Sequence, residues 1–255
     1  MEPDPVEDPI GYFADRAEDY ARWRPGYPRA AIDAALAGLP APATVVDVGC
    51  GTGISTRALA DAGAHVLGVE PDPAMLAHAQ AAGGGPRYAV GRAERLPLAD
   101  ASCDLVVVAQ AFHWFQRDAA LQEFQRVLRP GGRLALLWNV RRTDTPFMAV
   151  YADVVRRAQA ATEARGRRVS RIRCASPAES PWFVDGELRA FDNHELLTWE
   201  GVYGRLNSAS YVPREGPERE GLLRELRAAF DDHASEGRVL YAQTTELTLA
   251  ARAKP

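Results

Sequence analysis

The stretch from Val45 to Glu70, VVDVGCGTGISTRALADAGAHVLGVE, constrains the fold more than any other part of the chain. It opens on Val45-Val46-Asp47-Val48, a short run with the β-branched, apolar character of a buried strand. Gly49, Gly51 and Gly53 follow at once, and the segment from Ile54 to Ala62 reads as a helix. A second apolar run, His65 to Val69, ends in Glu70. Strand, glycine turn, helix and strand make a βαβ unit, and its right-handed crossover sets the two strands parallel. Ligands of such sheets bind at the carboxyl ends of the strands. The glycine turn and Glu70 both fall there.

Glycines without Cβ atoms let a ligand lie against the main chain and accept positive φ. Glu70 follows Gly51 by 19 positions, where a carboxylate at a strand tip can accept hydrogen bonds from both hydroxyls of a ribose. Together these features describe a nucleoside site. A dinucleotide fingerprint, G-x-G-x-x-G/A, wants a small residue opening the helix for a pyrophosphate. Ile54 stands there instead, which disfavours an NAD(P) oxidoreductase. The pattern is D-x-G-x-G-x-G, and Asp47 offers a carboxylate to a cationic group. That suits S-adenosylmethionine, whose ammonium and sulfonium are positive. At these residues the chain resembles the class I S-adenosylmethionine-dependent methyltransferases.

Further motifs carry the same resemblance. Gly91-Arg92-Ala93-Glu94-Arg95-Leu96-Pro97-Leu98 resembles the family's G-x-A-E-x-L-P-L loop, and Leu128-Arg129-Pro130-Gly131-Gly132-Arg133-Leu134 its turn before the fifth strand. Gln110-Ala111-Phe112-His113-Trp114-Phe115, Trp138 to Arg142 and Gly204 to Tyr211 resemble the subgroup that includes trans-aconitate methyltransferase-like proteins. The resemblance implies S-adenosylmethionine as cofactor, with S-adenosylhomocysteine as product. It implies cofactor contacts from Tyr20 and Arg24 to the carboxylate, and from Asp47, Gly49, Cys50, Gly51, Thr52 and Gly53 around the glycine turn. Glu70 and Pro71 fall to the ribose side, and Met75 against the adenine. The family commonly has an acid where Arg92 stands, so adenine recognition falls to the main chain of Arg92 and Ala93, or to Glu94. Gln110 and Ala111 complete the set. Tyr20 and Arg24 read equally as part of a lid packing on the body, and Glu94 as a loop or cap carboxylate.

Composition narrows the class. The 255 residues fit one α/β domain, and a net charge of −4 offers no nucleic-acid groove. Three unclustered cysteines, Cys50, Cys103 and Cys174, give neither a zinc spacing nor a disulfide framework. The acidic, proline-rich start is no signal peptide, and no apolar run reaches the ~18 residues of a membrane span. The expected setting is the reducing cytoplasm, the expected partner a small-molecule acceptor, with no metal. Residues 1–10 read as a disordered tail and 11–40 as an N-terminal lid. Five strands alternating with helices run to about 140, and a cap insertion covers about 141–190, with a helix over 147–166. A sixth strand is expected at 194–198, a helix at 222–230 and a last strand at 238–250. The fold expected is a Rossmann-like, seven-stranded, mostly parallel sheet with helices on both faces.

Methyl transfer asks little of a protein: align a nucleophile with the methyl and exclude water. His113, after the fourth strand, is the candidate base or acceptor contact, with Trp114 beside it. Phe112, Trp114 and Phe115 equally make an apolar wall in which His113 is structural. Trp138, Arg142, Arg205, Ser208, Ser210 and Tyr211 are candidates to line the acceptor site, the arginines by bidentate pairing to a carboxylate. A hydroxyl acceptor would use His113 as base, with a rate rising through a pKa near 6–7. A carboxylate acceptor, already ionised, would need only orientation. O-methylation of a carboxylate or hydroxyl is the leading expectation. N- or C-methylation, or a nucleoside-binding protein without turnover, are the alternatives.

Overall fold

The structure, a computed structural model, describes residues 17–165, 177–209 and 211–254. The tail at 1–10, Cys174, Ser210 and the side chain of Tyr20 lie outside the described residues. The chain runs α1 (Ala17–Trp23), α2 (Arg29–Leu36), β1 (Thr44–Val48), α3 (Ile54–Asp61), β2 (His65–Glu70), α4 (Pro73–Ala81), β3 (Arg87–Val90) and β4 (Cys103–Ala109). It continues as α5 (Arg117–Val127), β5 (Leu128–Arg141), α6 (Pro146–Ala164), β6 (Phe183–Leu197), α7 (Trp199–Asn207), α8 (Pro217–His233) and β7 (Val239–Arg252). The strands form one sheet in the order β3-β2-β1-β4-β5-β7-β6. The first five pair parallel, and β7 enters antiparallel between β5 and β6. The order reverses between β1 and β4, and a crevice at that switch point is where such sheets bind ligands.

Alternation along the central strands explains the layers. Val45, Leu105, Val107, Ala135, Leu137 and Leu247 share one face, packed under Ile32 of α2 and Leu59 of α3. Val46, Val48, Val106, Val108, Leu134 and Leu136 share the other, packed under Leu121 and Phe124 of α5. Side chains two apart point the same way, so each strand serves both layers. At the amino end of the sheet Asp104 accepts the Thr44 N–H at 2.8 Å and pairs with Arg129 at 2.7 Å. That pair explains the Arg-Pro-Gly-Gly turn. A Cβ on Gly132 would lie 2.9 Å from the Arg129 carbonyl oxygen.

Three boundaries differ from expectation. β5 begins at Leu128 rather than Arg133, because Leu128 already pairs with Cys103 of β4. β6 covers Phe183–Leu197 rather than 194–198, so the end of the stretch read as cap is sheet. Its outward residues include Glu187, Arg189 and Asp192, and Leu188 and Leu196 are exposed. An edge strand need not be apolar on both faces, so hydrophobicity failed to mark it. α7 was not foreseen. Thr198 caps it by accepting the Gly201 N–H, and Val202 and Leu206 are its buried face, but Gly201 and Gly204 break the helical texture. Within the stretch read as a lid, α1 spans Ala17–Trp23, and residues 11–16 are outside the described set.

A third core joins α6, α7 and α8 through Met148, Tyr151, Val155, Val202, Leu226 and Phe230. The helical layer above the sheet therefore draws on both sides of β6. α1 rests on this layer. The Trp23 indole lies over Gly204 of α7, the Trp23 carbonyl accepts Arg205 Nε at 2.9 Å, and Arg24 donates to the Ser208 carbonyl at 3.1 Å. Among the described residues no helix is long and apolar enough to cross a membrane.

A Cβ at position 204 would fall inside the Trp23 ring. Gly204→Ala should therefore lift α1 from α7 and cost about 1–3 kcal/mol, the range for overpacking. Urea unfolding and limited proteolysis of the N-terminal segment measure both effects, and unchanged values for both would refute this packing account.

Candidate active site

The glycine loop is folded back onto β2. Gly49 and Cys50 donate to the Val69 carbonyl at 2.8 and 3.2 Å, and Gly53 donates to Cys50 at 2.9 Å. Gly49, Gly51 and Gly53 all have positive φ, at 68°, 55° and 78°. A Cβ on Gly49 would lie 2.7 Å from Ala111, and one on Gly53 would meet Tyr88 and Arg57. The loop is thus pinned from below and can present only main chain.

Two carboxylates hold it. Glu70 Oε2 accepts the Gly51 N–H at 2.9 Å, and Oε1 accepts the Asp72 N–H at 3.0 Å. Burial raises the Glu70 pKa against the pull of these two amides. Each oxygen keeps a lone pair, so the group can still accept two hydroxyls. Asp47 is fully buried, and its Oδ2 accepts Ser55 and Thr56 hydroxyls at 2.7 and 2.6 Å. Asp47 Oδ1 has no partner, and burial pushes the pKa up to about 6. The Thr52 hydroxyl is also buried without a partner. Cys50 turns its thiol inward, buried and held well above the ordinary thiol pKa, so only its main chain belongs to the loop surface.

Beside β2, Asp72 caps α4 by accepting the Ala74 N–H at 2.8 Å. Pro71 is half-buried, and Met75 and Ala93 are buried at this side. Arg92 pairs main chain with Arg95 in a one-residue bridge. Glu94 is engaged elsewhere. Its Oε1 accepts the N–H of Gln116, the N-cap of α5, at 2.8 Å, so the cap reading of this carboxylate holds in the structure.

Past β4 the chain turns sharply. Gln110 has φ of 59°, an unusual conformation for a residue with a side chain. It is held there by its N–H to Leu137 at 2.9 Å and its amide to Asn139 at 3.3 Å. The turn buries Ala111 beneath Gly49 and starts a 3₁₀ turn, Phe112–Trp114. Phe112 and Phe115 point into the core, edge-on to each other at 6.0 Å. His113 stands against Trp114 and Trp138, with ring centroids 4.8 and 5.4 Å away. Burial first, and then the Arg24 charge, lower its pKa to about 4. That is below the pKa near 6–7 that a base for a hydroxyl acceptor would show, and it fits the orienting role. His113 is a neutral imidazole across the physiological range.

Two arginines expected at the acceptor site are committed to ion pairs. Arg142 is exposed, bound to Asp144 and, at 3.3 Å, to Asp192. Arg205 is buried against Glu195 at 2.8 Å and the Trp23 carbonyl, its guanidinium 4.5 Å over the Tyr241 ring. Ser208 is buried, and its hydroxyl donates to the Arg205 carbonyl at 2.8 Å. Tyr211 is turned to a residue that sequence reasoning passed over, since Arg141 donates to its hydroxyl at 2.9 Å. Asn139 was passed over too. With Asn193 it donates to the Gly26 carbonyl, fixing the segment that carries Arg24. The available signal was strand parity, because Asn139 and Arg141 share a face that excludes Arg142.

The arrangement fits an adenosyl ligand with a cationic tail. It offers a close-approach glycine loop, a carboxylate with spare acceptor sites and an unpartnered buried carboxylate oxygen. Among the described residues no cluster of His, Cys, Asp and Glu could hold a metal.

Comparison with known proteins gives the following. Residues 46–136 match a family model described as a methyltransferase domain. An uncharacterized methyltransferase of Mycobacterium tuberculosis is 42% identical over 146 residues, which cover 57% of this chain and 59% of that protein. The match thus spans about three fifths of the mycobacterial relative. An uncharacterized methyltransferase-like protein of Schizosaccharomyces pombe is 30% identical over 227 residues, covering 81% of this chain and 82% of its own. Among solved structures, a putative type II methyltransferase from Anaeromyxobacter dehalogenans superposes with a TM-score of 0.66 at 26% identity, covering 90% of this chain and 97% of its own.

The two carboxylates give separate expectations. Glu70→Ala should weaken S-adenosylhomocysteine by ~1.5–3 kcal/mol, the worth of a charged hydrogen-bond partner. Calorimetric titration measures it, and an unchanged affinity in a folded variant would remove Glu70 from the site. For Asp47 the folded pKa lies above the unfolded one, so its ionisation opposes folding between about pH 4 and 6. Between pH 4 and 7 the wild type should lose about 2 kcal/mol relative to Asp47→Asn. Parallel stability curves in urea would contradict it.

Proposed function

This chain belongs to the methyltransferase family, and from that premise we propose that it transfers the methyl group of S-adenosylmethionine to an oxygen of a small-molecule acceptor. The observation that carries the reading is the loop at Gly49 to Gly53, bare of side chains and held by Glu70 at the switch point of the sheet. In this reading Gly49 to Gly53 receive the amino-acid part of the ligand and Glu70 the ribose. Arg24 takes the carboxylate end, and Asp47 Oδ1 lies beneath as a negative field. Met75 and the main chain at Arg92 and Ala93 border the adenine. The bound sulfonium supplies an activated methyl and its own leaving group.

The chain's residues then have to orient the acceptor and keep water out. His113, Trp114 and Trp138 make an apolar, stacked wall suited to both tasks. A histidine whose pKa is about 4 is a weak base near neutrality, which favours orientation over proton removal. That favours an acceptor oxygen that arrives ionised.

The pH dependence tests the role of His113. Protonation of His113 below about pH 4 would add a second cation beside Arg24, and above pH 5 nothing at this residue changes. With an ionised acceptor, kcat should stay flat from pH 6 to 8. His113→Ala should raise KM roughly tenfold or more and change kcat less. A rate that climbs through pH 6–7 in the wild type and loses that climb in His113→Ala would show that His113 is a base after all.

A further inference from the structure

The arginine that ends β5 is placed differently from the chain's paired arginines. Arg129, Arg142 and Arg205 each meet a carboxylate within 3.3 Å. Arg133 meets none, but it sits on the Ala35 and Ala37 carbonyls at the negative end of α2. Arg141 is partly buried, and among the described residues no carboxylate pairs with it. Its neighbours are phenols. Nη2 donates to the Tyr211 hydroxyl at 2.9 Å, and Tyr241 and Tyr151 stand around it, edge-on to each other at 5.0 Å. A guanidinium has five N–H donors, and neutral hydroxyls do not balance its charge. Cations taken out of water are normally paired.

The position is as specific as the charge. Arg141 lies at the carboxyl edge of the sheet, four residues beyond Leu137, whose carbonyl holds the turn that delivers His113. Tyr211 follows Ser208, whose carbonyl holds Arg24, and its own carbonyl is fixed by the Thr162 hydroxyl at 2.8 Å. The tyrosines come from α6, from β7 and from the chain after α7, so the cage closes only where the helical layer meets the sheet. Arg141 and Tyr211 are partly accessible, and Tyr241 and Tyr151 are buried behind them.

We propose that Arg141, with the hydroxyls of Tyr211 and Tyr241, is the carboxylate-binding site for the acceptor, and that the acceptor is a carboxylic acid in its ionised form. This rests on the methyltransferase reading and narrows it. Planar, two-pronged pairing suits a carboxylate and gives a neutral amide or alcohol no counter-charge to offer. Transfer to the carboxylate oxygen then forms an O–CH₃ bond as the S–CH₃ bond breaks. The electron pair of that bond stays on sulfur, and no proton is moved.

The test measures transfer of labelled methyl from S-adenosylmethionine to straight-chain and aromatic carboxylic acids, with the amide and the alcohol of each skeleton alongside. Acids should accept the label, and the matched amides and alcohols should not. For the best acid, Arg141→Met should raise KM by roughly 10–10²-fold, while S-adenosylhomocysteine affinity and the circular dichroism spectrum stay as in wild type. Arg141→Lys should recover part of the loss. If Arg141→Met fails to fold, Tyr211→Phe, which removes only the hydroxyl, should still raise KM for the acid. The proposal is overturned if amides or alcohols accept as well as acids. It is equally overturned if KM is unmoved in folded Arg141→Met, or if S-adenosylhomocysteine binds and no acid is methylated. Failure of the wild type to bind S-adenosylhomocysteine would instead bring down the methyltransferase reading beneath it.

Discussion

The hydrogen bond from the Gly51 amide to the Glu70 carboxylate, at 2.9 Å, ties the tip of one strand to the tip of its neighbour. The rest of the site is arranged around that tie. Within the loop the Gly53 N–H closes on the Cys50 carbonyl, and the Gly51 N–H turns to an outside acceptor. Glu70 supplies it and is in turn held by the Asp72 amide at the start of α4. From below, Asp47 binds the hydroxyls of Ser55 and Thr56 and so fixes α3 against the same loop. Two acids on adjacent strands thus stabilise a main-chain surface that carries no side chain of its own.

These acids are held at a cost. Burial raises both pKa values, and Asp47 keeps one oxygen unpartnered. Across the site the sign is opposite. Arg24 and Arg141 bring positive charge to the ends of β4 and β5, and His113 answers by staying neutral. In the reading proposed above, Asp47 and Glu70 face the donor's cationic and ribose parts, Arg24 the donor's carboxylate and Arg141 the acceptor's.

Legibility followed the range of the interactions. The βαβ unit, the order of the central strands and the glycine loop are local patterns, and the structure keeps them within a residue or two. Glu94 was ambiguous because a loop carboxylate reads the same whether it meets a ligand or an α5 amide. α7 was hidden by two glycines, one of which, Gly204, leaves room for Trp23 from a helix some 180 positions away in the chain. β6 was hidden because its regularity comes from pairing with β7 and not from its own apolar content.

The sequence by itself determined the fold class and the family and picked out the candidate cofactor loop, because these rest on residues close together in the chain. Gly49 to Gly53 and Glu70 belong to one unit whose geometry its spacing sets. Only the tertiary structure decided which arginines pair with carboxylates. Arg142 and Arg205 look as apt as Arg141 in the sequence. What separates them is which arginine finds a carboxylate: Asp192 and Glu195 on the edge strand take the first two, and three tyrosines from distant segments surround the third. Which charges folding leaves without a carboxylate depends on distant segments, and no local pattern records it.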